Sequence, residues 1–290
     1  MNIGEKVKNL RTSKLMTQKE LAGDIITRNM LRQIERGSAL PALQTLIYLA
    51  NRLGVPVGYL VSDSEANETF YKKYTSYQNI IESYKSGEWA ICRDLCLSCL
   101  ANKGDNEITY MLAQSSMRLG ISYFSEGKLK NAVKMFEEAI DNSAYTVFDT
   151  GGILSCISAH ATIMALISPS LVLEVPESEK SETVCTSDIC KLTDIIKGKT
   201  ELRNIPKETE WSTPNYYHFI NAKALIENGN YGAAVSLLSH VCEDDRLPRP
   251  LTYLALDAYE KCCKETNDYK GAYEVSQAKL QLFEKMMAED

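Results

Sequence analysis

Residues 17–37, TQKELAGDIITRNMLRQIERG, predict two short helices joined by a tight turn. Thr17 and Glu20 have the spacing of a capping box, in which each side chain accepts a hydrogen bond from the backbone N–H of the other residue. Thr27 is placed to cap a second helix, and Gly37 stands where a left-handed stop residue is expected. The pattern therefore indicates a pair of helices with defined ends.

The second helix of this pair has two faces of different character. Leu31 and Ile34 share one face and are expected to point into a core. The other face carries guanidinium and amide groups, which are the donors that read guanine and adenine edges in the major groove. Gln18 begins the first helix, where backbone N–H groups attract a phosphate. The predicted DNA-binding residues are Gln18, Thr27, Arg28, Asn29, Arg32, Gln33 and Arg36.

Residues 3–61 resemble the Cro/repressor-like (XRE) helix-turn-helix family. The similar parts are TQKELA, IERG and LPALQTLIYLANRLGVPVGYL. In that family the second helix of the pair enters the major groove of double-stranded DNA. The turn at residues 23–26 is one residue shorter than in most members, which makes the chain similar to the peptide-sensing regulators of the Rgg and PlcR type. The resemblance implies a five-helix DNA-binding domain over residues 1–62.

Charge is distributed unevenly along the 290 residues. Residues 1–62 hold nine Lys/Arg and four Asp/Glu, which is a net charge of +5, so the remaining residues carry −11 of the total of −6. A basic segment followed by an acidic body is typical of a DNA-binding module attached to a second domain. We predict a polar linker at residues 63–68 and a sensor and dimerisation domain at residues 69–290.

Several functional classes are not indicated by the sequence. No apolar run approaches the length of a membrane span, and the opening MNIGEKVKNL is too charged for a signal peptide, so we expect a cytoplasmic protein without membrane contact. Cys92, Cys96 and Cys99 share a helical face but have no fourth ligand nearby, so we expect packed, reduced thiols and no metal. No nucleophile triad, phosphate loop or carboxylate pair is found, so we expect neither an enzyme nor a cofactor.

From residue 69 onward, four segments follow the pattern of a tetratricopeptide repeat and align on the turn residues Gly87, Gly127, Gly229 and Asn267. The best copy spans residues 116–139. The predicted fold class is therefore all-α, with an N-terminal five-helix DNA-binding domain followed by a tetratricopeptide-like helical superhelix. Between the copies we expect a buried helix within residues 145–167, a loop at residues 168–182 and a short helix at residues 186–197.

The resemblance to tetratricopeptide repeats implies that the first helix of each copy lines a groove. The residues at these positions combine aromatic, aliphatic and cationic side chains, a composition that suits a short apolar peptide with a free carboxylate. Arg118 is the expected carboxylate partner, because a guanidinium can bind both oxygens. The alternative is that the aromatic residues belong to the core of the repeats. The predicted peptide-binding residues are Tyr77, Gln78, Ile81, Tyr84, Lys85, Met117, Arg118, Ile121, Phe124, Tyr216, Phe219, Ile220, Lys223, Asp257 and Lys261.

The sequence thus predicts a transcription regulator that binds a double-stranded DNA operator and senses a short signalling peptide, as in quorum sensing. We expect a homodimer, because one head makes few base contacts, and Leu280, Phe283 and Met287 of the last helix are the candidate interface. Two alternatives stay open. The repeats could dock a protein partner without a small ligand, or the chain could sequester a signalling partner through its helix-turn-helix fold.

Overall fold

The computed structural model describes residues 2–62, 65–100, 105–176, 187–198 and 206–288, with the backbone alone at residues 65–75. Within these ranges every regular element is a helix. The chain divides into two compact units, Met1–Ser86 with Leu97–Ala101 and Gly87–Cys96 with Asn102–Asp290. The predicted all-α fold class is confirmed for the part of the chain that the structure describes.

The first unit begins with a head of five short helices that surround one apolar core. Its centre is formed by side chains such as Val7, Leu21, Leu31, Leu49 and Leu60, each with no exposed surface. A sixth helix follows the head and begins inside the predicted linker, because polar, acidic residues can open a helix as well as form a linker. The helices are α1 (Ile3–Ser13), α2 (Gln18–Ala22), α3 (Arg28–Glu35), α4 (Leu43–Leu53), α5 (Val57–Val61) and α6 (Glu65–Ser86).

The predicted helix caps of the head are confirmed. The Thr17 hydroxyl accepts a hydrogen bond from the backbone N–H of Glu20 at 3.2 Å, and the Glu20 carboxylate accepts one from the backbone N–H of Thr17 at 2.6 Å. These bonds hold the pKa of Glu20 below its ordinary value. Thr27 caps α3 by accepting from the backbone N–H of Met30 at 3.1 Å. Local hydrogen bonds therefore set where α2 and α3 begin.

The turn between α2 and α3 depends on Gly23. Its backbone has φ +55° and ψ −141°, a conformation that essentially only glycine adopts. A Cβ at this position would overlap the hydroxyl of Tyr48. That hydroxyl lies 3.2 Å from the carbonyl oxygen of Leu21 and 3.0 Å from that of Ala22. The hydroxyl of Tyr48, on α4, thus donates to the last carbonyl oxygens of α2. It also leaves no room for a side chain at position 23.

A buried carboxylate joins the first three helices. Glu35 of α3 accepts two hydrogen bonds from the Arg11 guanidinium of α1, at 2.6 Å and 3.2 Å, and one from the Gln18 amide of α2 at 2.7 Å. Arg11 also donates to the carbonyl oxygen of Met16 at 2.8 Å. The Glu35 side chain is only 4% exposed, so the charge is compensated by protein donors rather than by water.

The second unit contains three helical hairpins and three further helices. The hairpins are formed by α8 with α9, α12 with α13 and α14 with α15, and a short 3-10 turn lies at Glu208–Glu210. Only the first part of α7 belongs to this unit. Its helices are α7 (Trp89–Cys99), α8 (Asn106–Glu126), α9 (Leu129–Ser143), α10 (Gly151–Ile167), α11 (Asp188–Ile196), α12 (Pro214–Glu227), α13 (Tyr231–Glu243), α14 (Arg249–Glu265) and α15 (Tyr269–Met287).

The turn residues that aligned the predicted repeats all adopt left-handed backbone. Gly87, Gly127 and Gly229 have φ values of +75°, +84° and +72°, and Asn267 has +62°. Asparagine is one of the few residues other than glycine that tolerates this region. The helices expected within residues 145–167 and 186–197 are α10 and α11, and residues 168–176 contain no helix. The rest of the expected loop lies outside the described residues.

The first hairpin of the second unit packs at close range. Ala132 and Ala139 of α9 are fully buried, and a Cβ at Gly120 of α8 would overlap the ring of Phe136. Glu138 accepts hydrogen bonds from Arg93 of α7 at 2.6 Å and from Ser116 of α8 at 2.7 Å. Small residues at the contact and one shared carboxylate therefore hold these helices together.

Cys92 and Cys96 are fully buried, Cys99 is partly exposed, and the cysteines that the structure describes are free thiols. Burial raises the pKa of the Cys242 thiol to about 12, and the neighbouring Glu243 adds to this effect. Across the described ranges, no group of three or more His, Cys, Asp or Glu side chains could hold a metal ion. No described helix is long and apolar enough to cross a membrane.

Replacement of Gly23 by alanine is expected to weaken the head, because the backbone strain costs about 1–3 kcal/mol and the new methyl group meets Tyr48. Amide hydrogen exchange in α2 and α3 should become faster. Adding Tyr48→Phe to Gly23→Ala should restore the protection that was lost to the overlapping hydroxyl, less the part that depends on its hydrogen bonds to Leu21 and Ala22. Gly232 lies in α13, and an added Cβ at this position has no neighbouring atom within 4 Å. Gly232→Ala is therefore the control and should leave the head unchanged. Unchanged exchange in Gly23→Ala would contradict this account.

Replacement of Arg11 by methionine is expected to cost about 3 kcal/mol or more, because it leaves Glu35 buried without its cation. The double replacement Arg11→Met/Glu35→Leu should recover most of this loss, since no uncompensated charge remains. Differential scanning calorimetry of the full chain would measure both effects. A double variant less stable than Arg11→Met would show that the loss comes from packing and not from the charge.

Candidate functional site

The outward face of α3 presents cationic and amide side chains on the rigid head. Leu31 and Ile34 are buried as predicted, which turns the opposite side of the helix towards solvent. Within the described residues, no ion pair involves a guanidinium of this face. Five of the predicted DNA-binding residues are exposed side by side along it, namely Arg28, Asn29, Arg32, Gln33 and Arg36.

The two remaining predicted DNA-binding residues have structural roles. Thr27 is exposed, but its hydroxyl is engaged in the cap of α3. Gln18 is half-buried, and its amide donates to Glu35. The side chain of Gln18 therefore joins α2 to α3. A phosphate at the start of α2 would meet backbone N–H groups and not this amide. Sequence spacing did not reveal this role, because the partner of Gln18 lies 17 residues along the chain.

The second unit contains a cavity of about 640 Å³. The volume lies within the range of known ligand pockets, about 300–1,000 Å³. Its walls come from α8, α10, the starts of α11 and α12, and the start of α14. The lining residues are Gln114, Met117, Arg118, Ile121, Phe124, Ser125, Gly152, Ile153, Cys156, His160, Ser187, Asp188, Ile189, Ser212, Thr213, Tyr216 and Pro248.

Arg118 supplies the cationic group of the lining. The residue is exposed, and its guanidinium lies over the ring of Trp89, 5.8 Å from the ring centre. Stacking on an aromatic face orients a guanidinium while its N–H groups stay available at the edge. No carboxylate of the described residues pairs with Arg118. The group can therefore bind an anionic ligand without breaking an existing ion pair.

Asp188 lies on another wall and is buried. Its two carboxylate oxygens accept hydrogen bonds from the backbone N–H groups of Ser212 at 3.1 Å and Thr213 at 2.9 Å. Burial, together with the charge of Asp188, raises the pKa of the Tyr216 hydroxyl, which stays a neutral donor at physiological pH. The starts of α11 and α12 are thereby held together beside the cavity.

His160 belongs to the lining and is 3% exposed. Its Nδ1 lies 2.7 Å from the carbonyl oxygen of Cys156, and because a carbonyl only accepts, this nitrogen carries the proton. The ring meets Phe124 edge-on at 4.8 Å and Phe136 at 5.5 Å between ring centres. The histidine therefore stiffens the packing of α10 against α8 and α9.

The structure brings only part of the predicted groove set to this cavity. Met117, Arg118, Ile121, Phe124 and Tyr216 line it. The residues predicted on the first copy lie on α6 in the first unit, where Tyr77, Ile81 and Tyr84 are half-buried and Gln78 and Lys85 are exposed. The lining residues of α10 and of the start of α11 were missed, because no turn residue marks them as part of a repeat.

Five residues predicted on the later copies do not line the cavity. Phe219 and Ile220 are buried in the core instead. Lys223 lies over the ring of Phe219, and burial lowers its pKa although Glu227 and Asp257 act in the opposite direction. Asp257 pairs with Lys279 at 2.9 Å, and Lys261 is exposed on α14. Polar and apolar residues are mixed around the whole of α12, so counting back from Gly229 could not tell which face meets the cavity.

The predicted interface residues of α15 also differ in exposure. Leu280 is half-exposed, whereas Phe283 packs against Tyr253 with 5.7 Å between ring centres. Met287 is half-buried against the core. Two tyrosines of the same helix, Tyr269 and Tyr273, are more exposed than any of the three.

A family model described as helix-turn-helix matches residues 7–60, which cover all of α2, α3 and α4. The chain is also 37% identical over 84 residues to the cryptic phage CTXphi transcriptional repressor RstR of Vibrio cholerae. That alignment covers 29% of this chain and 74% of the repressor.

Solved structures align with most of the chain at low identity. The structure of PlcR from Bacillus thuringiensis in complex with the peptide PapR7 and DNA is 14% identical, with 99% of both chains covered and a TM-score of 0.22. The apo form of the competence regulator ComR from Streptococcus vestibularis is 17% identical, with 99% of this chain and 93% of that chain covered and a TM-score of 0.23. TM-scores of this size do not establish a shared arrangement of the whole chain.

The match to the family model falls on the segment whose caps, turn and exposed helix face are described above, and the phage repressor is covered over 74% of its length. The chain therefore belongs to the helix-turn-helix family of DNA-binding transcriptional regulators.

Proposed function

We propose that this regulator reads its operator through α3 and changes its DNA binding when the cavity of the second unit takes up a short apolar peptide. The observation that carries the first part is the outward face of α3, where Arg28, Asn29 and Arg32 are exposed. This helix is held in place by the hydrogen bonds that Glu35 accepts from α1 and α2. Side chains held by a rigid scaffold lose little entropy on binding, and arginine and asparagine match guanine and adenine edges.

The cavity supports the peptide part of the proposal. Met117, Ile121 and Phe124 offer apolar contacts, and Arg118 offers a carboxylate its guanidinium, which pairs with no acidic side chain in the described ranges. The acidic charge of residues 63–290 argues against a second DNA-binding surface. A regulatory peptide must bind one arrangement of the protein more tightly than another, since equal affinity for both shifts nothing.

We also propose that the regulator works as a homodimer, with two heads on two half-sites of the operator. The exposed apolar residues Tyr269, Tyr273 and Leu280 of α15 support a role of this helix in pairing.

A second candidate function is supported by a separate surface. Tyr145, Val147 and Phe148 are exposed on the loop between α9 and α10, and this loop is bonded to Asn106 through Thr146 Oγ1 at 3.0 Å and the backbone N–H of Val147 at 3.0 Å. A rigid apolar loop suits docking of a protein partner. In that case the second unit would regulate DNA binding without a small ligand.

Arg28→Ala and Arg32→Ala should each weaken binding to the operator by about 1–3 kcal/mol, because each removes a donor to bases or phosphates. The operator would be selected from random DNA with the wild-type chain, and affinity measured by fluorescence anisotropy at several salt concentrations. Lys8→Ala, which removes an exposed charge from α1, is the matched control and should change affinity less. Operator affinity that stays unchanged in both arginine variants would contradict the assignment of α3.

Arg118→Ala should abolish the response of operator affinity to peptides while leaving DNA binding without peptide intact. The guanidinium lies in the cavity lining and outside the head, so only the ligand contact is lost. Anisotropy with peptide fractions from culture medium would measure the response. Lys261→Ala is the control, since this exposed lysine does not line the cavity. If no fraction alters the affinity of the wild type, the docking function should replace this one.

A further inference from the structure

The cavity of the second unit carries opposite charges on two of its walls. Its lining residues include one guanidinium, that of Arg118 on α8, and one carboxylate, that of Asp188 at the start of α11. Arg118 is exposed, whereas Asp188 is 7% exposed. A ligand that fills the cavity therefore meets a cation towards solvent and an anion in the interior.

The carboxylate of Asp188 is oriented but not saturated. The backbone N–H of Ser212 donates to Oδ1 and that of Thr213 donates to Oδ2. A carboxylate offers about four acceptor positions, two on each oxygen. Lys191 Nζ also donates to Oδ1 at 3.5 Å and forms an ion pair with it, in addition to its hydrogen bond to the carbonyl oxygen of Glu210 at 2.5 Å. One acceptor position, on Oδ2, therefore stays available for a ligand, and the only cation of the described residues that pairs with Asp188 is the ammonium group at 3.5 Å.

We propose that Asp188 binds the free amino terminus of a short apolar peptide that enters the cavity amino end first. This rests on the proposed peptide-sensing function and adds to it the polarity of the ligand. A peptide amino group carries a positive charge at neutral pH, and a charge-assisted hydrogen bond to a buried carboxylate is stronger than one between neutral groups. The tyrosine hydroxyl beside Asp188 is neutral and does not compete with the ammonium for this charge.

The volume of the cavity fits a short peptide. A volume of about 640 Å³ corresponds to a width of about 10 Å, which about three extended residues span. With the amino group at Asp188, the side chains of such a peptide lie against Met117, Ile121 and Phe124. The carboxyl end then reaches the exposed Arg118, so both charges of the ligand meet a partner of opposite sign.

The ligand-side test compares free and N-acetylated peptides on the full-length protein by isothermal titration calorimetry. The probes are synthetic peptides of Leu, Ile, Val and Phe, from about three residues upward. Acetylation removes the charge and keeps every side chain and the carboxyl terminus, so the affinity should fall about tenfold or more. Equal affinity of both forms overturns this proposal and leaves the proposed function standing. If no peptide binds, the proposed function fails and this proposal fails with it.

Asp188→Asn provides the matched test on the protein. The amide keeps the size of the side chain and one acceptor for a backbone N–H, but it lacks the charge. The preference for the free over the acetylated peptide should therefore disappear in this variant, as a thermodynamic cycle requires of two interacting groups. Asp194→Asn, on the same helix but outside the lining, should keep the preference. A preference that persists in Asp188→Asn overturns the assignment. If Asp188→Asn does not fold, the acetylation result in the wild type decides alone.

Discussion

The carboxylate of Glu35 holds the first three helices of the head in one arrangement. It sits on α3 and accepts hydrogen bonds from Arg11 of α1 and Gln18 of α2. Because a buried carboxylate without partners is costly, α3 cannot rotate or slide without losing the compensation of this charge. The direction in which α3 presents Arg28 and Arg32 to solvent, and with it every proposed base contact, depends on this network.

In the head, some arginine and amide side chains stabilise the fold, whereas others of the same chemical type are exposed and available to DNA. Arg11 forms an ion pair with Glu35, whereas Arg28 has no ion-pair partner within the described residues. The amide of Gln18 is likewise bonded to Glu35, whereas that of Asn29 is exposed. The donors that remain unused by the fold are those that can exchange water for a base edge, because no internal bond has to break.

In the second unit, residues that stabilise the fold also form the cavity. His160 stiffens the packing of α10 and lines the space beside it, and Asp188 joins α11 to α12 while keeping acceptor capacity. In the binding mode proposed above, the backbone N–H groups that orient Asp188 also preorganise it for the peptide ammonium, which lowers the cost of binding. The cavity is therefore part of how these helices pack, and occupation by a ligand can bear on the arrangement of the whole unit.

The amino-acid sequence by itself determined the features that rest on neighbouring residues: the caps at Thr17 and Thr27, and the left-handed turns at Gly127 and Asn267. Such features need only local hydrogen bonds and backbone preferences, so the all-α fold class and the five-helix head were predictable. Only the tertiary structure decided which residues meet across the chain. It joined Gln18 to Glu35 and brought Asp188 to the cavity wall. Periodicity alone could not show this, because contacts between distant segments depend on packing.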